Sequence, residues 1–351
     1  MKDEDLLNDP GFLAYKLNFE TENVEFLPVD RDEIRKVPSL KRGSFDTART
    51  LQAVPLAKVA ALLDSPDPGP TGAAPRFIFH TAYCASTFLS RCLDVDGVSV
   101  SLREPQIMLD AANAKRLQWR SRSTELNFSH LPELAVKLLR KHATETEKLV
   151  IKPINCVNNI IPELLKASDS SRSLMLFTDA RNFVLSTLRK GEGGKQTVRS
   201  MFDLLRCDFA HLANLQLTHT IHMTDLRVIM TLWRLQIEQA KAALEGFSTS
   251  NEMASLYGES LIRQPLEALR AVNEYLQLGL SPQQIDDVIA SDRRFIDAKN
   301  ADERFSVEQR EERYRELETF YGSDLDDGLQ WLLRNNPGTQ LRPELLGELL
   351  S

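Results

Sequence analysis

What the 351-residue chain lacks narrows its function before any motif is read. No apolar run approaches the roughly 20 residues that span a bilayer, so no membrane partner is expected. The start, MKDEDLLNDPGF, is acidic and lacks the hydrophobic stretch of a signal peptide. The four cysteines, Cys84, Cys92, Cys156 and Cys207, form no CxxC and no Cys/His spacing suited to zinc. Reduced thiols in a cytoplasmic protein, with no metal, are the expectation. A net charge of −7 speaks against a general nucleic-acid binder, yet leaves room for a local basic pocket for a small anion. Neither an internal repeat nor a low-complexity tract is present.

What is there is ordinary globular material. At 42% hydrophobic and 26% charged residues, the chain can bury a large core. Residues 1–70 differ in character from the remainder of the chain. Within them NVEFLPV (23–29) reads as a strand and LQAVPLAKVAALL (51–63) as a helix with Pro55 near its first turn. SPDPGPTGAAP (65–75) is a linker without periodicity. The first 70 residues therefore read as a small appended layer whose role the sequence does not disclose, 71–335 as the main domain and 336–351 as a tail.

From residue 76 strands alternate with helices. Strands are expected at 76–79, 98–100, 149–152, 174–178 and 254–257. Helices are expected at 87–93, 109–116, 131–142, 156–167 (interrupted by Pro162) and 180–190. In the helix-rich C-terminal half they fall at 225–247, 261–276, 282–291, 306–321 and 324–334. Continuous apolar strands between helices mean a parallel sheet covered on both faces, a three-layer α/β fold of the P-loop kind.

The stretch that carries chemistry is RFIFHTAYCASTFLSRC (76–92). An apolar run breaks into small and polar residues and then into a helical pattern. Strand, tight turn and helix start gather free backbone N–H groups at one point, which suits a phosphate. The Walker pattern, Gly-x-x-x-x-Gly-Lys-Ser/Thr, is not met: there is no glycine from 73 to 96 and no lysine before Ser86-Thr87. An ATPase or ordinary kinase is disfavoured accordingly. The plain alternative is that Ser86 and Thr87 merely cap the helix.

Several stretches in order resemble the sulfotransferases, above all the tyrosylprotein and heparan branch. Tyr83-Cys84-Ala85-Ser86-Thr87-Phe88-Leu89 lies along their phosphosulfate loop, a basic residue followed by Ser-Gly-Ser/Thr-Thr and an apolar pair. Leu93-Asp94 comes next, as in the family. Glu104 stands at the distance from Tyr83 at which that branch places its catalytic glutamate. Lys152-Pro153 looks like the family's lysine–proline segment. LMLFTDARNFVLS (174–186) resembles the strand, loop and helix that hold the nucleotide 3′-phosphate, with Ser186 on the phosphate-binding serine. Trp233, Tyr257 and LIRQPLEALRAVNEYLQL (261–278) look like later family elements. The resemblance covers roughly 76–300. Two departures stand out: Tyr83 replaces the loop cation, and Thr178 replaces the arginine that clamps the 3′-phosphate. His80, Lys152, Arg181, Arg189 and Lys190 are the candidates to replace them.

The resemblance implies sulfuryl transfer from 3′-phosphoadenosine 5′-phosphosulfate to a hydroxyl or amine of a small-molecule, glycan or peptide acceptor. In that scheme Tyr83, Cys84, Ala85, Ser86 and Thr87 hold the phosphosulfate. Ser186, with Arg181 or a neighbour, holds the 3′-phosphate, Tyr257 and Lys299 border the nucleotide, and Glu104 is the general base. Lys152 is the cation near the transferred group, and His80 joins them. The plainer alternatives are a solvated Glu104 pairing Arg103, a solvated Lys152, a Ser186 bonded back into its own helix, a His80 that only holds its loop, and a nucleophilic Cys84. The rival functions are a phosphotransferase on the same loop, or a catalytically degenerate relative that binds a nucleotide or a partner.

Overall fold

The aromatic and β-branched run Arg76–His80 forms β4, fully buried past its first residue, at the centre of the molecule. In the computed structural model, which describes residues 2–46, 48–64, 74–168, 172–212, 223–247, 252–291 and 306–350, it belongs to a five-stranded sheet. The other members are β5 (Ser99–Arg103), β6 (Lys148–Lys152), β7 (Ser173–Phe177) and β8 (Met253–Tyr257), in the order β5-β6-β4-β7-β8. Every neighbouring pair is parallel. Helices cover both faces, as continuous apolar strands require, and the fold is the α/β architecture expected from the alternation.

The chain leaves β4 toward one edge and, after β6, crosses to the other side. The point at which strand order reverses therefore lies at the C-terminal end of β4. Open parallel sheets bind ligands outside the carboxyl ends of their strands, at this reversal. Here that position is taken by Thr81–Ala85, the turn between β4 and the helix Ser86–Cys92.

The first 64 residues build a second sheet, antiparallel and three-stranded, in the order β1 (Phe12–Asn18), β2 (Asn23–Pro28), β3 (Gln52–Pro55). Its apolar face, including Leu13, Val24, Phe26 and Val54, runs without a break into the core around Phe77 and Phe79. Strand β1, not expected from the sequence, carries a bulge between Ala14 and Lys16. The segment expected to be one helix over 51–63 divides into β3 and the helix Leu56–Asp64, because Pro55, which has no N–H to give, fits the end of an edge strand.

In the C-terminal half, the two helices expected over 306–334 are one, Val307–Asn335. Gly322 does not break it. Gly328 brings it close to the helix Asp225–Phe247, since a Cβ there would fall 2.7 Å from the Met230 methyl. The helix Gly191–Leu205 is not expected from the sequence, because its Gly-Glu-Gly-Gly start has poor propensity. Burial of Val198, Phe202 and Leu205 along one face stabilises it instead.

Candidate active site

A cavity of about 400 Å³ opens at the C-terminal end of β4. The loop Tyr83–Thr87 forms one wall, and Glu104, Lys152, Ser186 and His80 line the same space. These residues, all singled out by sequence pattern, are thus brought together from separate stretches of the chain.

The loop is irregular for a reason. Tyr83 and Ala85 both take left-handed backbone (φ 61° and 63°), which non-glycine residues rarely adopt. Alternation of this kind curls successive N–H groups into a concavity that suits anions. Ala85 is the helix N-cap and supplies no side-chain cap, so Ser86 and Thr87 are not cap residues and their backbone N–H groups have no partner within the helix. Underneath, Gln236 accepts the Ala82 N–H (2.9 Å) and also the Asn155 amide (2.8 Å). On the far side the turn after β8 presses on the loop: a Cβ at Gly258 would lie 2.6 Å from the Cys84 carbonyl oxygen. Cys84 donates to the Thr81 carbonyl (2.8 Å), and burial pushes its thiol up to about 11, so it is no nucleophile.

His80 ends β4 with its ring nitrogens 2.7 Å from the Thr81 carbonyl and 3.0 Å from that of Pro153. Burial, aided by the charge of Lys152, holds its pKa down to about 3. The ring thereby links the end of β4 to the segment that follows β6, and in its neutral form it has one N–H to donate to one of the two carbonyls.

Glu104 and Lys152 close the bottom of the cavity. They leave the ends of neighbouring strands, where Arg103 pairs with Lys152 in register, and the Glu104 N–H donates to the Lys152 carbonyl at 2.6 Å. Glu104 takes left-handed backbone (φ 53°) immediately before Pro105. That strain turns its carboxylate toward the Lys152 ammonium, 2.6 Å away. Arg103 points elsewhere, donating to the carbonyls of Ile34, Arg35 and Val37 at the end of the helix Arg31–Lys36. It is therefore not the partner of Glu104. Burial raises the Glu104 pKa, but Lys152 and then Lys41 outweigh it and bring the carboxyl down to about 2.

Lys41 is a residue that sequence reasoning missed. It comes from the N-terminal layer, and its ammonium lies 3.5 Å from the second Glu104 oxygen. Its backbone is locked: the Leu40 N–H donates to Arg103, the Leu40 carbonyl accepts from Gln106, and Tyr15 donates to the Lys41 carbonyl. No local pattern around residue 41 announces this.

At the other end of the cavity Ser186 makes a short hydroxyl–hydroxyl hydrogen bond with Tyr314 of the long C-terminal helix. It is Thr187 that bonds back into the helix, to the Phe183 carbonyl at 2.9 Å. One turn before Tyr314, Arg310 donates to both oxygens of the buried Glu259 and to the Tyr314 hydroxyl. Arg189 and Lys190 also line the cavity, one turn on from Ser186.

Two expected residues, Arg181 and Tyr257, stand apart from it, and so does Thr178. Arg181 lies five residues before Ser186, about 140° around the helix, and pairs with Glu318 (2.7 Å) and Asp326 (3.1 Å) instead. Tyr257 donates to Asp179 at 2.5 Å. Thr178 is buried, its carbonyl accepting from the Trp233 indole at 2.8 Å. Lys299 lies outside the described residues. Among the described residues no group of three His, Cys, Asp or Glu side chains could hold a metal ion. No helix there is long and apolar enough to cross a membrane.

The fold and cavity define an α/β protein with a concave backbone loop at the strand-order reversal, faced by a carboxylate and several cations. Solved structures similar to it include two sulfotransferases and a retinol dehydratase. Sulfotransferase STF9 from Mycobacterium avium is 14% identical over 76% of this chain and 80% of its own, with a TM-score of 0.40. The sulfotransferase domain from the curacin biosynthetic pathway is 14% identical over 63% and 79%, with a TM-score of 0.41. Retinol dehydratase, solved with retinol and PAP, is 13% identical over 97% of each chain, with a TM-score of 0.38. No protein-family model and no curated protein matches the sequence.

Proposed function

We propose that the protein is a sulfotransferase that uses 3′-phosphoadenosine 5′-phosphosulfate as donor and Glu104 as general base. The observation that carries this is the meeting, in one cavity, of the anion-cradling loop Tyr83–Thr87 with the Glu104–Lys152 pair. The ordered motif resemblance from the loop to Ser186 supports it. The cavity falls within the roughly 300–1,000 Å³ of small-ligand sites.

In the reaction the acceptor oxygen or nitrogen attacks sulfur in line with the leaving group. The new bond forms as the bond from sulfur to the bridging oxygen breaks. Glu104 takes the acceptor's proton, and the electron pair of the broken bond stays on the 5′-phosphate of the departing bisphosphate. Little covalent chemistry falls to the protein, so positioning and charge neutralisation dominate. The loop amides hold the phosphosulfate, and Lys152 faces the sulfuryl oxygens. With a pKa of about 2, Glu104 is a weak base in the free protein. The ammonium groups that keep it so, Lys152 and Lys41, are the ones for which an incoming sulfuryl group competes. Donor binding thus raises the basicity of Glu104 at the moment an acceptor proton must be removed. Ser186 and Arg189 hold the 3′-phosphate; the Arg189 Nε is buried without a hydrogen-bond partner.

Thermal unfolding with added nucleotide tests the proposal. Stabilisation by 3′-phosphoadenosine 5′-phosphate, larger than by ATP with magnesium, is expected. Stabilisation by ATP alone sinks it in favour of a phosphotransferase. Binding of the bisphosphate without transfer to a broad acceptor panel points to a degenerate relative.

A further inference from the structure

Among the buried side chains of the helix Asp225–Phe247, Gln236 alone carries an amide, and it is completely shielded from solvent. A buried amide is costly unless its hydrogen bonds are made, so its partners show what it holds. At the end of β4 the Thr81 N–H still donates to the Leu176 carbonyl of β7 (2.8 Å). One residue on, the Ala82 N–H donates to Gln236 Oε1 instead (2.9 Å). A backbone N–H can only donate, which fixes the way the Gln236 amide faces. Asn155 must then turn its amide nitrogen to the same oxygen (2.8 Å), and that nitrogen also lies 3.5 Å from the Met201 sulfur. Asn155 follows Lys152-Pro153-Ile154, opens the short helical segment Asn155–Ile160 and lines the cavity. One oxygen atom therefore joins the entry of the loop to the chain that leaves β6. Trp233, one turn earlier on the same helix, holds the Thr178 carbonyl after β7 (2.8 Å).

The loop needs such an anchor. Neither Tyr83 nor Ala85 is glycine, yet both take left-handed backbone (φ 61° and 63°), a shape that persists only where its surroundings impose it. We infer that Gln236 is the positioning residue of the loop: its oxygen holds the entry peptide so that the N–H groups beyond it face a bound 5′-phosphate, and through Asn155 it keeps that loop in register with the Lys152 end of β6. The inference rests on the donor proposed above. Gln236 does not line the cavity and acts through Ala82 and Asn155. Donors held in place in advance stabilise developing charge without reorganisation, and a loop released at Ala82 relaxes away from that shape.

The test pairs amide exchange in the ligand-free protein, followed by NMR, with calorimetric binding of 3′-phosphoadenosine 5′-phosphate and adenosine 3′-monophosphate. The two nucleotides differ only in the 5′-phosphate. Gln236→Met keeps the volume and removes the oxygen. It is expected to speed exchange at Ala82 and to weaken the bisphosphate, each on the order of tenfold, as an unmade buried hydrogen bond implies. The monophosphate should stay within about twofold of its wild-type affinity, which also checks that the variant is folded. Gln236→Glu returns an oxygen to both donors and is expected to restore the protection of Ala82. Gln236→Asn draws the oxygen back by one methylene and is expected to show both effects at smaller size, which keeps the test open should the Met variant not fold. Unchanged exchange at Ala82 in Gln236→Met, undiminished binding of the bisphosphate, or equal weakening of both nucleotides overturns the inference and leaves the proposed function standing. A wild-type protein that binds neither nucleotide overturns both.

Discussion

The two ends of the cavity manage charge in opposite ways. At the Glu104 end one carboxylate is shared by two ammonium groups, Lys152 and Lys41, so the cluster carries a surplus positive charge. At the Ser186 end Arg310 and Glu259 cancel each other, and Ser186 and Tyr314 satisfy each other's hydroxyls. The charged side chains of the first cluster meet on a shared anion, and a second anion can compete for its cations. The second is closed on itself, both partners buried. An arrangement of the first kind suits chemistry; at the second end the Arg310–Glu259 pair fixes a helix, while Ser186 and Arg189 are the groups proposed for the 3′-phosphate. The difference also makes Arg310, although it lines the cavity, a poor clamp for a phosphate. A phosphate would have to approach an arginine already neutralised at close range.

The sharpest way to break this comparison is to remove charge from the first end. Glu104→Gln keeps size and polarity but cannot accept a proton. Turnover is expected to fall on the order of 10²–10⁴-fold, the range of general-base contributions, with binding of 3′-phosphoadenosine 5′-phosphate retained or tightened. Steady-state rates and calorimetry on the same preparation decide it. Intact turnover removes Glu104 from the mechanism.

At the second end the expected effect is on stability. Arg310→Met leaves the buried Glu259 carboxylate without its partner, and breaking such a pair by one member costs about 3–5 kcal/mol. Denaturant unfolding should show that loss, while Glu259→Gln combined with Arg310→Met recovers most of it. A single Arg310→Met variant as stable as the wild type would mean that the pair does not hold the long helix in place.

The same contrast separates what is legible in the sequence from what is not. The loop is legible because strand, turn and helix start are contiguous, so small residues between two apolar patterns mark it directly. Glu104 and Lys152 are legible as strand ends, since a parallel sheet brings such ends together. Ser186 is legible only through the resemblance of 174–186 to the family's strand, loop and helix, and counting five residues back to Arg181 puts that side chain on the wrong face. At about 100° per residue, three or four residues return to a face and five do not. Hence Arg189 and Lys190 reach the cavity and Arg181 meets Glu318. Lys41, Arg310 and Tyr314 cannot be read at all. Each is an ordinary polar residue locally, and only tertiary packing carries it to the cavity. The N-terminal layer, silent as sequence, thereby contributes a side chain to the candidate site.

Lys41 gives the finest adjustment of the first end. Lys41→Met removes the more distant of the two cations on Glu104 and leaves the 2.6 Å contact with Lys152 intact. Loss of a nearby positive charge disfavours the carboxylate, so the Glu104 pKa rises from about 2 toward its ordinary value of 4.5. The consequence for stability has a definite sign. A carboxyl whose folded pKa lies below its unfolded one contributes stability that is fully present above the unfolded value and is lost as pH falls through the folded one. In the wild type that loss spans the interval from about 4.5 down to about 2. In Lys41→Met the span shortens from its acid end, and the total contribution above pH 4.5 shrinks with it. Denaturant unfolding repeated from pH 7 to pH 3 should therefore show a smaller acid-dependent loss in the variant. Because Lys41 is partly exposed, salt should narrow the gap between variant and wild type. Identical pH profiles at low salt would mean that the N-terminal layer touches the site without tuning it.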